Sequence, residues 1–229
     1  MPEFQHPPGG YVFIVTYGRS GSTLLQRLVN TLPGYQIRGE NNNALVPLFD
    51  SWRAIVKSPN IFGMRAQGAP SSSSHPWFGA ERIDPDRYAA ALVESFVRTV
   101  LQPAPGVQVS GFKEIRLLHD PEHFTAYLEF LLQVFPKARL VFNTRNHADV
   151  MQSGWWRGQD PERVKGVLTA AEAVFHAVHA SHPDRSVLLQ YDAYTADHAA
   201  FEPLFDLLGA HPGADIIADV MATRLTHAA

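Results

Sequence analysis

The chain of 229 residues suits one α/β domain, since a single hydrophobic core keeps growing up to roughly 250 to 300 residues. Its 19 basic and 22 acidic residues leave a net charge of -3, which excludes the basic footprint of a general nucleic-acid binder, so a phosphate has to be met by local charge. Cysteine is absent, which excludes disulfides, thiolate metal sites and cysteine nucleophiles.

The N-terminal segment M-P-E-F-Q-H-P-P-G-G has no basic n-region and no apolar h-region, and no apolar run approaches the roughly 18 residues of a membrane span. A soluble, cytoplasmic protein with no membrane span is expected. The first element is the apolar run Tyr11 to Tyr17, where Val12, Phe13, Ile14 and Val15 have the length and β-branching of a buried parallel strand. A turn of Gly18, Arg19, Ser20 and Gly21 follows, then a predicted amphipathic helix from Ser22 to Thr31. The glycines let the backbone turn and come close to a ligand. The amides of Ser20, Gly21, Ser22 and Thr23 fall at a helix N-terminus, where free N–H groups and the helix dipole favour an anion.

Further strands are predicted at Tyr35 to Arg38, Val107 to Phe112, Ala138 to Thr144 and Ser186 to Tyr191. Helices are predicted at Ala44 to Val56, Pro85 to Leu101, Pro121 to Phe135, Ala148 to Trp156, Pro161 to Ala180, Ala196 to Leu208 and Ala214 to Arg224. Three of these open on an Asp-Pro pair (Asp84, Asp120, Asp160), an N-cap followed by proline at the first helical position. The alternation predicts an α/β fold of P-loop type, a parallel sheet of about five strands with helices on both faces, in one domain over residues 1–229. The stretch from Met64 to Arg82, with its serines Ser71 to Ser74, is too long for a routine connection and reads as a mobile acceptor lid or a disordered insertion. The eleven histidines show no metal-ligand spacing, and no metal is expected.

The turn after the first strand departs from the Walker pattern G-x-x-x-x-G-K-[ST], because Ser22 stands where the lysine belongs and Thr16 where the first glycine belongs. The positive charge lies ahead of the glycine instead, at Arg19 in R-S-G-S-T. A second cation, Arg145, ends the strand A-R-L-V-F-N-T, the end at which open α/β sheets bind ligands, and Ser153 follows eight residues on, about two turns into the next predicted helix. Between them G-F-K-E-I-R-L, residues 111–117, carries Lys113 at the end of a buried strand, where a lysine needs a partner or a function. Glu40 follows the second strand.

R-S-G-S-T resembles the 5′-phosphosulfate loop of sulfotransferases that use 3′-phosphoadenosine 5′-phosphosulfate (PAPS), and Arg145 with Ser153 resembles their 3′-phosphate motif. The K-x-x-R of Lys113 and Arg116 is similar to a strand of carbohydrate sulfotransferases, and V-L-L-Q-Y-D-A-Y with the F-x-x-L-x-x-L-L-G of Phe201 to Gly209 resembles the family's closing strand and helix. The family's C-terminal glycine-rich nucleotide loop has no counterpart here. The resemblance implies a transferase moving a sulfuryl group from PAPS to a hydroxyl of a carbohydrate or other small-molecule acceptor, releasing adenosine 3′,5′-bisphosphate. Arg19, Ser20, Gly21, Ser22 and Thr23 would hold the 5′-phosphosulfate, Arg145 and Ser153 the 3′-phosphate, and Arg19 with Lys113 the charge on the leaving oxygen.

The histidine base of cytosolic phenol and steroid enzymes would stand two residues after the strand lysine, where this chain has Ile115. Glu40 occupies the place of the glutamate base of tyrosylprotein and carbohydrate enzymes. Glu114 is the rival, disfavoured because neighbours on a strand point to opposite faces. Many eukaryotic relatives carry a membrane anchor ahead of this domain, so a bacterial-type soluble member or an excised domain is expected. A P-loop kinase with a degenerate loop, with Asp192 in a Walker-B-like place, and a non-catalytic nucleotide-binding protein are the alternatives. Asn41 to Asn43 fit an acceptor contact or a polar turn; Trp52, Trp77, Phe78, Trp155 and Trp156 fit ring stacking or core.

Overall fold

The computed structural model describes residues 4–68 and 71–222, and these form two compact units: residues up to 42 together with those from 101 onward, and residues 43–100. In chain order the elements are β1 (Tyr11–Thr16), α1 (Ser22–Val29), β2 (Tyr35–Arg38), α2 (Val46–Val56), α3 (Pro59–Gln67), α4 (Pro85–Phe96), β3 (Val109–Glu114), α5 (Pro121–Val134), β4 (Arg139–Thr144), α6 (His147–Met151), α7 (Pro161–Ser181), β5 (Ser186–Gln190), α8 (Tyr191–Ala196), α9 (Glu202–Leu208) and α10 (Ala214–Ala222).

All five strands belong to the larger unit and pair in parallel in the order β2-β3-β1-β4-β5. β1 is buried along its whole length, as its run of aromatic and β-branched residues requires of a central strand. Its neighbours β3 and β4 lie on opposite edges, so the turn after β1 emerges between the carboxyl ends of two other strands. Ile14 sits opposite Lys113, and Thr16 opposite Asn143.

Alternation along the strands divides the core. Val12, Ile14, Val141, Val187 and Leu189 pack with Leu24, Leu25 and Leu28 of α1, Tyr194 of α8, Leu204 and Phe205 of α9 and Val220 of α10. On the other face the rings of Phe13 and Phe112 lie 4.9 Å apart, and Phe142 stacks at 4.9 Å on Phe175 of α7. Helices thus cover both faces of the sheet, as the sequence predicts. Among the described residues no helix is long and apolar enough to cross a membrane.

The three Asp-Pro signals cap helices as expected: Asp84, Asp120 and Asp160 each accept a first-turn N–H. Other boundaries move. The third strand starts and ends two residues later than predicted, because Val107 and Gln108 are taken up by hydrogen bonds to Ala104 and Gly34, and this carries Lys113 and Glu114 into the strand. The helix predicted to Trp156 stops at Met151: Ser153 is extended and Gly154 has φ +55°, so Ser153 lies beyond α6 and not within a helix. The helix predicted from Ala196 to Leu208 is divided where Asp197 caps a 3₁₀ turn, His198–Phe201, before α9. Thr223 and Arg224, the end of the last predicted helix, lie outside the described residues.

The 43–100 unit contains one helix the sequence reading missed. Ser58 accepts from the Ile61 N–H and Pro59 opens α3, the same cap-plus-proline signature as the three aspartates. Ile61, Met64 and Ala80 form a small cluster, with Ile55 and Ile83 packed on it. The serines after it are not structureless. Ser71 donates to Glu81 at 2.8 Å and accepts the Gly79 N–H at 3.0 Å, which pins the two ends of the turn-rich segment together.

Candidate active site

The turn after β1 is held from below by residues that no motif singles out. Thr16 donates its hydroxyl to the Asn143 carbonyl at 2.6 Å and lies 2.7 Å from the Ser20 hydroxyl. The Asn143 side chain, fully buried on β4, donates to the Ser20 carbonyl at 2.8 Å. Ser20 and Ser22 are therefore buried, and Arg19 is forced to φ +71°, a left-handed conformation that a side chain adopts only under constraint. No side chain caps α1 and its first turn holds no acidic residue, which leaves a helix N-terminus suited to an anionic ligand.

Both glycines of the turn are required by aromatic rings beside them. A Cβ at Gly18 would lie 2.0 Å from Trp155, and one at Gly21, which has φ +82°, would lie 2.0 Å from Tyr191. The groups that approach the turn in this structure are rings of the chain itself. Gly21→Ala is expected to lower Tm, because the left-handed backbone alone costs about 1–2 kcal/mol. The ring clash adds to that cost, and an unchanged melting curve would show that the turn is not held this way.

Arg145 leaves β4 on the far side of the turn. Its Nη1 donates to the Arg19 carbonyl at 3.1 Å, and its Cζ lies 4.6 Å above the Tyr191 ring, a cation–π contact. Its Nε is buried without a hydrogen-bond partner among the described residues. Its backbone N–H donates to the Tyr17 hydroxyl at 2.9 Å, which donates to Glu172 at 2.6 Å; burial, reinforced by that carboxylate, pushes the Tyr17 hydroxyl far above the usual tyrosine range and keeps it protonated. Ser153, displaced from its predicted helix, accepts from Arg19 Nε at 2.8 Å. A Cβ at Gly154 would sit 2.9 Å from Arg19 Cδ, so glycine there lets the two segments meet.

On the other flank Lys113 is buried, 4 % exposed, and donates to Glu40 Oε1 at 2.7 Å. Arg116 Nη1 reaches Glu40 Oε2 at 3.0 Å and Glu114 Oε1 at 2.9 Å. Glu114 is buried as well and accepts the backbone N–H groups of Ile115, Arg116 and Asn41. Asp192, the Walker-B-like candidate, lies in α8 past the strand and accepts the Asn146 N–H at 2.7 Å.

A cleft of about 320 Å³ gathers Arg19, Gly21, Ser22, Thr23, Glu40, Lys113 and Arg145, with Ile115, Trp155 and Tyr191 completing its wall. Ser20 lies beneath its floor and Ser153 reaches it through Arg19. Sequence reasoning missed Tyr191 and Asn143. Tyr191 stood in a quoted segment without a role, and Asn143 carried no signal at all. Three cations, one carboxylate and an uncapped helix N-terminus can bind a polyanion and accept a proton beside it.

The solved sulfotransferase domain from the olefin synthase of Synechococcus PCC 7002 is similar in fold, with 16% identity, 97% of this chain and 80% of that chain covered, and a TM-score of 0.59. The sulfotransferase domain from the curacin biosynthetic pathway is similar at 17% identity, 98% and 83% coverage and a TM-score of 0.54. No curated protein matches the sequence. The model of the sulfotransferase family matches residues 11–211, which takes in all five strands and every residue of the cleft. By that match the chain belongs to the sulfotransferase family.

Proposed function

We propose that the protein transfers a sulfuryl group from PAPS to a hydroxyl of a small polyol or carbohydrate acceptor. The observation that carries this reading is the gathering of Arg19, Lys113 and Arg145 with Glu40 in one cleft at the carboxyl ends of β1, β3 and β4. The residues suit such a donor. Arg19 and the N–H groups of Gly21, Ser22 and Thr23 hold the 5′ end, and Arg145, whose Nε makes no hydrogen bond within the described protein, holds the 3′-phosphate from the far side of the turn.

In the transfer Glu40 takes the proton of the acceptor hydroxyl, the acceptor oxygen bonds to sulfur, and the bond from sulfur to the phosphate oxygen breaks. Lys113 and Arg19 stabilise the negative charge left on that oxygen. They do so in a partly closed site, where such electrostatic stabilisation counts for far more than in water. Glu114 does not compete for the base role, since its oxygens already accept three backbone N–H groups and Arg116. A carbohydrate acceptor rests on the glutamate base and the Lys113–Arg116 strand.

Calorimetric titration tests the donor. The wild type should bind adenosine 3′,5′-bisphosphate without metal, and more tightly than ATP with Mg²⁺. Arg145→Ala should lose about 1.5–3 kcal/mol toward adenosine 3′,5′-bisphosphate and little toward adenosine 5′-phosphosulfate, which has no 3′-phosphate. Equal losses would remove Arg145 from the 3′-phosphate site, and a clear preference for ATP with Mg²⁺ would favour a kinase.

A further inference from the structure

Glu40 is gripped on both oxygens, and the two grips differ in kind. Lys113 holds Oε1 from inside the sheet, and the proposed reaction requires that same amine at the leaving oxygen. Arg116 holds Oε2 at 3.0 Å and has no place in the cleft wall, which passes from Lys113 to Ile115 and omits the next residue. Arg116 is itself held, because the same Nη1 lies 2.9 Å from Glu114 Oε1. Glu114 is a fixed anchor: it is 6 % exposed, and its carboxylate accepts the N–H groups of Ile115 at 3.0 Å, Arg116 at 3.2 Å and Asn41 at 3.2 Å. Asn41 follows Glu40 in the chain. One buried carboxylate therefore fixes both the backbone next to Glu40 and the guanidinium that meets its side chain.

We infer that Arg116, anchored by Glu114, is the positioning residue for the base Glu40, holding its carboxylate toward the acceptor while Lys113 turns to the leaving oxygen. This rests on the reading of Glu40 as base. Strand alternation explains why two residues are needed. Lys113 points to the α1 face and Glu114 to the face where Tyr127 of α5 lies; burial, with the Glu114 charge adding to it, raises the Tyr127 hydroxyl. Glu114 cannot enter the cleft, but through the long side chain of Arg116, 45 % exposed, it reaches the residue that can. One Nη1 group at the end of a long, planar guanidinium donates to both carboxylates; a lysine ammonium at position 116 is a mobile point charge without that fixed plane.

The test is a mutant cycle on the full chain, read by release of labelled sulfate ester from ³⁵S-PAPS with glucose, galactose, N-acetylglucosamine and p-nitrophenol as probe acceptors, alongside calorimetry with adenosine 3′,5′-bisphosphate. Arg116→Ala should lower kcat by about 10²-fold, the usual penalty for misplacing a reacting group by an ångström, while nucleotide affinity and Tm stay near wild type. Arg116→Lys should recover only part of the rate. In the Glu40→Gln background the same Arg116→Ala change should cost nothing further, since a residue acting only through Glu40 has nothing left to position.

Full turnover in Arg116→Ala with Glu40→Gln inactive overturns the positioning role and leaves the base reading standing. An undiminished loss from Arg116→Ala in the Glu40→Gln background also overturns it, because Arg116 would then act on substrate directly. Normal turnover in Glu40→Gln, or no ester from the wild type with any probe, would remove the base or the reaction itself, and this inference with it. Glu114→Gln, which keeps the volume but only one of the two acceptor oxygens, checks the anchor: it should lower kcat without changing nucleotide affinity, and a normal kcat would show that Arg116 needs no anchor.

Discussion

Glu40→Gln is expected to lower turnover by about 10²- to 10⁴-fold, the range associated with a general base, while nucleotide binding stays within a factor of a few. The substitution keeps the shape of the side chain and one acceptor oxygen; Lys113 at 2.7 Å and Arg116 at 3.0 Å hold separate carboxylate oxygens, so the amide keeps one of the two contacts. The fold should therefore persist, and circular dichroism with a thermal melt checks that it does. Single-turnover transfer from ³⁵S-PAPS isolates the chemical step from product release. If Glu40→Gln reacts at the wild-type rate while Glu114→Gln is inactive, the proton goes to the other carboxylate and the assignment is wrong.

Lys113→Met should be nearly as damaging to catalysis and harmless to stability. Removing a cation aimed at developing charge costs about 10²- to 10³-fold in kcat. Methionine, by contrast, fills the same volume without the penalty of keeping an ammonium out of water, and replacing a buried ion-pair member with an apolar residue is often neutral or stabilising when the remaining charge keeps a partner. Glu40 keeps Arg116. An unchanged or raised Tm with a lost kcat is the expected pair of results. A variant that retains more than about a tenth of the wild-type rate would show that Arg19 alone suffices at the leaving oxygen.

Some parts of this site were legible because their chemistry is contiguous in the chain. R-S-G-S-T carries the cation, the turn glycine and the helix start in five residues just past the end of β1, and the structure has each where local rules put it. Arg145 was legible for a similar reason, since it follows six residues of strand pattern, and the gathering of Arg19, Lys113, Arg145 and Glu40 in one cleft follows from the strand order. Ser153 was found by its spacing but misplaced in structure, because what ends α6 is the close pass of Gly154 against Arg19, a contact between positions far apart in sequence. Asn143 and Tyr191 act through the third dimension alone. One clamps the turn from a neighbouring strand, and the other lies against Gly21 and Arg145 from the end of β5. Helix α3 was the avoidable miss, as Ser58-Pro59 is the same signal that located three other helices.

The central place of β1 also sets a schedule for synthesis. β1 is made before its two partners, which follow roughly 100 and 130 residues later, so both of its hydrogen-bonding edges and the five side chains Tyr11 to Val15 wait exposed on the nascent chain. At about 5–20 residues per second that wait lasts on the order of 5 to 25 seconds, long enough for an uncharged β-prone segment to meet another copy of itself. The central strand is thus a stretch that gains from being shielded until its partners are made, and slowing translation between residues 30 and 139 should raise the aggregated fraction more than the same delay after residue 150.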